Sequence, residues 1–186
     1  MADVKMSDQA YAEFVRGRFN EAVAGTAPII FTNRGTSLAK TVLEQLVTRA
    51  NISLDIFTGC LSATVYDAAL LATAADRLKN IRVLVGDADP RGSTALSGLT
   101  KEISEGDVKA LYCQAKRTID GKQFDMGHFA ICDGMHVRVE ENAADRSATV
   151  ILNAHLGTTH KIADAYKRVF QTLWDIAEPL PKEYKL

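Results

Sequence analysis

The chain has 186 residues, 47% hydrophobic and 24% charged, with 22 Lys and Arg against 23 Asp and Glu for a formal charge of -1. That length fills one core, so a single domain spanning 1–186 is expected. The charge balance excludes a global positive field able to hold a nucleic acid or an anionic membrane, and any anion site must be local.

Three cysteines, Cys60, Cys113 and Cys132, are odd in number and widely spaced, which fits reduced thiols better than a disulfide framework. No early apolar run has signal-peptide character, and none approaches the roughly 18 apolar residues of a membrane span. A cytoplasmic protein without membrane contact is expected.

Ser7 or Asp8 opens a helix over about 8–23, with Tyr11, Phe14, Val15, Phe19 and Val23 on one side. "PIIFTN" reads as a strand. Thr36 or Ser37 then opens a helix striped by Leu38, Val42, Leu43, Leu46 and Val47. The strand "ISLDIFTG" follows, then an alanine-rich helix over about 62–79 carrying Val65, Ala69, Leu71, Ala72 and Leu78, then the strand "IRVLVGDA". This β-α-β-α-β order predicts a sheet covered by helices. Beyond the turn-rich "DPRGS", a short helix over about 94–104 leads to the strand "DVKALYC", and the polar interval 114–125 reads as a mobile loop. A last strand, "SATVILN", precedes a helix with Ile162, Tyr166, Val169, Phe170, Leu173, Trp174 and Ala177 at helical spacing, a core or dimer stripe.

The stretch "DMGHFAICDGMHVRVEEN" carries the chemistry. Period two makes it two strands joined by a tight Asp133-Gly134 turn. Phe129, Ile131, Val137 and Val139 then form one core face, and His128, Arg138 and Glu140 share the other. His136 falls near the turn, where solvation is expected, and His155 lies in the loop after the last strand.

The order of elements, with "ISLDIFTGCLSATVYDAALLATAADRLKNIRVLVGDADPRG" at its centre, resembles the phospholipase D superfamily over about 29–176, above all its short single-motif members of the bacterial endonuclease type. The resemblance implies an α/β fold, a mixed sheet flanked by helices on both faces. It also implies a homodimer, since two His-Lys-Asn sets must surround one phosphate. Anchored on Asp133, the family's HxKxxxxD motif puts Met126 at the nucleophilic His and His128 at the Lys, while the GSxN segment falls on "EENA", 140–143, with Asn142 one residue early. Keeping His128 as nucleophile would put Ala130 at the Lys and require a deletion inside a strand. A thioether cannot attack phosphorus usefully or donate a proton.

The expected function is therefore non-catalytic: binding of a phosphate-bearing ligand, nucleic acid or protein partner in the former cleft. The ligand-binding candidates are His128, Arg138, Glu140, Asn142, Lys116 and Arg117. One alternative is a divergent phosphodiesterase or nuclease in which His128 and Glu140 are the catalytic candidates beside Arg138; another is a pure scaffold, with Arg138 held by Glu140 or Asp133 in a buried ion-pair network. No cofactor and no metal is expected. Cys60, Cys113, Cys132 and His128 lack paired ligand spacing, and Lys116, Arg117 and Lys122 are a thin basic signal before His128.

Overall fold

The computed structural model describes residues 7–59, 65–86, 96–113, 116–119, 122–125, 127–142 and 146–181, with the backbone alone for 116–119, 122–125 and 142. Their elements are α1 (Asp8–Ala24), β1 (Ile29–Asn33), α2 (Thr36–Arg49), β2 (Ser53–Thr58), α3 (Ala68–Ala75), β3 (Asn80–Val85), α4 (Thr100–Glu105), β4 (Val108–Tyr112), β5 (Lys116–Ile119), β6 (Lys122–Asp125), β7 (Phe129–Cys132), β8 (His136–Asn142), β9 (Ser147–Leu152), α5 (His160–Asp175) and β10 (Glu178–Pro179). The main sheet has the order β1-β9-β8-β7-β2-β3-β4-β10. Its centre, β2-β3-β4, is parallel; every other pair is antiparallel.

Both faces of this sheet are covered. On one, Leu54, Ile56, Ile81, Val83, Ala130, Cys132, Val150 and Leu152 pack with Tyr11, Val15 and Phe19 of α1, Val42 and Leu46 of α2, and Leu71 of α3. On the other, Phe57, Leu84, Phe129 and Ile131 meet Phe170 and Leu173 of α5. The near-continuous apolar runs of β2 and β3 follow from this double burial.

Local chemistry sets the boundaries. Ser7 Oγ accepts from the Ala10 amide and caps α1. Val23, expected in the core, is 81% exposed, and Ala22 is buried instead. Helix α2 opens at Thr36, with Gly35 at its N-cap and no side-chain capping hydrogen bond. The third helix starts later than its alanine content suggests, because the Asp67 carboxylate takes the amides of Ala69 and Leu70; residues 62–64 of the expected helix lie outside the described ones. Likewise "DPRGS" and 94–95 lie outside. On α5 the predicted stripe divides: Phe170 and Leu173 are buried, whereas Ile162 and Val169 face outward. The interval expected to be a loop contains an antiparallel ribbon, β5 with β6, pairing Lys116 with Asp125.

The Asp133-Gly134 turn is present. Both residues have positive φ, 54° and 64°, as a primed hairpin turn requires, and the Met135 amide donates to the Cys132 carbonyl. Asp133 also joins the hairpin to the α2-β2 connection, its carboxylate accepting from the amides of Asn51, Ile52 and Ser53 at 2.8 to 3.1 Å. Asp133→Ala should lower the unfolding free energy by about 2 kcal/mol or more, since charge-assisted hydrogen bonds are lost and an αL residue loses its local support. Urea denaturation checks this, with Asp133→Asn expected to fall between the two.

Candidate functional site

Strand parity aims His128, Arg138 and Glu140 at the α1/α2 face. Arg138 sits opposite Ala130 and Val150, and Glu140 opposite Ala148. Of the two arrangements open from the sequence, an anion pocket or a buried ion-pair network, Arg138 and Glu140 form the second, at 1% and 3% exposure. The group lies beside Thr58, at the carboxyl end of the parallel strands, with Asn33 of β1 behind it.

Glu140 is the hub. Its Oε1 is 2.9 Å from His128 Nδ1 and accepts from Arg146 Nη1 at 2.9 Å, while Oε2 accepts from Arg138 Nη2 at 3.0 Å. Gly127 permits this approach: a Cβ there would stand 2.8 Å from the Glu140 carbonyl oxygen, and the next residue's carbonyl, that of His128, accepts from the Glu140 amide at 2.7 Å. Arg138 Nε reaches Asn33 Oδ1 at 3.4 Å, and Asn33 donates to the Arg146 carbonyl at 3.0 Å.

Burial opposes ionisation of Glu140, but the His128 hydrogen bond and the charges of Arg138, His128 and Arg146 outweigh it and hold its pKa down to about 2. An ionised carboxylate only accepts, so Nδ1 of His128 carries a proton and, in the neutral ring, Nε2 is bare. Two tyrosines complete the wall. Burial pushes Tyr11 up to about 12 and raises Tyr66 also, although Arg138 acts in the opposite direction on both; both phenols stay neutral. With two guanidiniums around one carboxylate, the described cluster is net positive whatever the state of His128. His128 and Arg146 reach the surface, at 16% and 22% side-chain exposure.

The three residues singled out from the sequence thus converge. Met126, at the position of the expected nucleophile, and Ala143 lie outside the described residues, as do the side chains of Asn142, Lys116 and Arg117. Of the two carboxylates considered for Arg138, Glu140 takes it and Asp133 does not. His136, expected in solvent, is half-buried against Phe19, with ring centroids 6.3 Å apart. Cys113 and Cys132 are buried on opposite faces of the sheet and do not share a site; Cys60 lies outside the described residues. Arg146, Asn33 and Tyr66 were not visible in the sequence, having no spacing that links them to the hairpin.

Glu140→Gln should leave Arg138 as a buried charge without its counter-ion, at a cost of about 3–5 kcal/mol. Folding depresses the Glu140 pKa, so its contribution is complete above the ordinary value of 4.5 and fades as pH falls toward about 2. Denaturant midpoints measured from neutral pH downward should therefore show a shallower acid loss in the variant than in the parent.

No protein-family model matches this chain, and no curated protein sequence matches it. Solved structures do. TrmBL2, an archaeal chromatin protein whose structure shows a novel mode of DNA binding, is 18% identical with a TM-score of 0.61, over 92% of this chain and 62% of that one. NucT from Helicobacter pylori is 14% identical with a TM-score of 0.60, over 83% and 100%. Phosphatidylserine synthase from Haemophilus influenzae is 15% identical with a TM-score of 0.55, over 85% and 40%. The chain therefore matches less than two thirds of the chromatin protein and of the synthase. No helix among the described residues is long and apolar enough to cross a membrane. At these identities the likeness is one of architecture: the chain has a phospholipase D-like fold.

Proposed function

We propose that this chain binds phosphate groups of a nucleic acid at the partly exposed His128 and Arg146 of the Glu140 cluster and does not cleave them. One observation carries the reading: Glu140 has both oxygens occupied by Arg138, Arg146 and His128, leaving a net positive cluster whose two outer members are accessible. Buried Arg138 fixes the carboxylate, which in turn orients the two groups that meet an anion. The ribbon carrying Lys116 and Arg117 precedes His128 in the chain, and Asn142 ends the strand that bears Glu140. Lys116, Arg117 and Asn142 are included in the proposal as further residues to meet a phosphate backbone. The DNA-binding neighbour of like fold is consistent with this ligand class.

A second reading is favoured by the His128–Glu140 pair itself. A carboxylate on Nδ1 leaves Nε2 bare and oriented, an arrangement suited to a base or nucleophile of a divergent phosphodiesterase. Glu140, held ionised, cannot be the acid that protonates the leaving oxygen, and Met126 has no proton to give.

Fluorescence anisotropy with a labelled DNA duplex tests both readings. Binding is expected to weaken about tenfold or more in Arg146→Ala and His128→Ala, with a slope of log K against log salt of about -1 to -3 for a few neutralised phosphates. Parallel incubation, with and without divalent metal, should leave the DNA intact; cleavage abolished by His128→Ala would establish the second reading instead. The scaffold alternative predicts no salt-dependent binding at all.

The same proposal includes a homodimer, as the resemblance in sequence implies, in which two copies would place their clusters around one phosphate. Light scattering is expected to give about twice the 20.3 kDa chain mass, and a monomer at micromolar concentration would confine the binding surface to one chain.

A further inference from the structure

β8 has a second chemical end. Four residues before Glu140, about 13 Å along the strand, His136 lines a cavity of about 310 Å³ at the opposite end of β8. The cavity is walled by Phe19, Met135 and Leu156 and bordered by Arg49 and His155. It shares no residue with the Glu140 cluster.

Two donors there are uncommitted. The Asn153 amide donates to His136 Nδ1 at 3.1 Å, so Nδ1 is bare and the proton of the neutral ring sits on Nε2. Burial of His136 lowers its pKa and keeps the neutral form, with Asp133 opposing and His155 adding to the effect. Nε2–H has no partner among the described residues. Arg49 gives Nε to Gln45 and Nη2 to Asn20, and its guanidinium lies 5.6 Å over the Phe19 ring. Nη1 is unused, and among the described residues no carboxylate pairs with Arg49. The remaining charge, that of Asp133, is engaged by three backbone amides.

We propose that this cavity is a binding site for a small organic carboxylate, whose oxygens are taken by Arg49 Nη1 and His136 Nε2–H and whose apolar body lies on Phe19, Met135 and Leu156. Several features select this chemistry. A planar guanidinium beside a single neutral donor suits one monoanion, and the apolar walls suit a hydrocarbon body rather than a free phosphate. The volume is at the small end of ligand sites, enough for a molecule of about ten heavy atoms.

The test is a titration of the full-length, ¹⁵N-labelled protein with benzoate, and separately with inorganic phosphate, followed by amide and imidazole ¹H–¹⁵N spectra. Benzoate is expected to bind with Kd on the order of 1 mM, moving the amides of Asn51 and Asn153 and the His136 Nε2 resonance while Nδ1 stays unprotonated. Arg49→Met and His136→Phe should each weaken binding about tenfold or more. If either variant fails to fold, the Nε2 response of the parent protein still decides the matter. Unmoved cavity resonances at saturating benzoate, undiminished affinity in a folded Arg49→Met, or phosphate binding as tightly as benzoate would each overturn the proposal.

Discussion

The buried Glu140 carboxylate is the interaction on which the upper half of this structure depends. Placing a carboxylate at 3% exposure beside a guanidinium at 1% is tolerable only because each satisfies the other, and because His128 and Arg146 use the remaining acceptor capacity. Four chain segments meet there: β1 through Asn33, β8 itself, the residue preceding β7, and the residue preceding β9. Replacing Glu140 alone would leave the Arg138 charge stranded in a core otherwise made of Phe31, Ile56, Ala130 and Val150.

The same strand fixes two histidines in opposite tautomers. At one end a carboxylate receives His128 Nδ1–H and leaves Nε2 bare; at the other, a backbone amide donates to His136 Nδ1 and leaves Nε2 protonated. His128 therefore meets a ligand as a base or as an imidazolium, and His136 as a neutral donor. The surroundings follow suit, with accessible charge around the first and apolar walls around the second. Helix α1 spans both ends, Tyr11 lying toward Arg138 and Phe19 against His136.

Much of the architecture was legible. The 3.6-residue stripes of α1 and α2, the double-sided runs of β2 and β3, and the Asp-Gly turn between alternating strands each have one good structural solution, and the parity of β7 and β8 brought His128, Arg138 and Glu140 together correctly. Parity says which residues share a face and not what covers it, so the sequence left open whether Arg138 and Glu140 line a pocket or form a buried ion pair. Arg138 and Asn33 are 105 residues apart, so no local pattern announces their contact, and Arg146 acts from a connection between strands. The β5–β6 ribbon did leave a trace, since Asp120-Gly121 is itself a hairpin signal; charged flanking residues disguised it as a loop. His136 was misread for a similar reason, its cover coming from α1, over a hundred residues earlier in the chain.

The measurement that tests the account most directly is a crystal structure of the full-length protein grown with inorganic phosphate. The account predicts an anion hydrogen-bonded to Arg146 and to His128 Nε2, with the Glu140 contacts to His128, Arg138 and Arg146 intact and no bond between phosphorus and His128. Phosphate bound elsewhere and absent from Arg146 and His128, or a phosphorylated His128 ring, would contradict it.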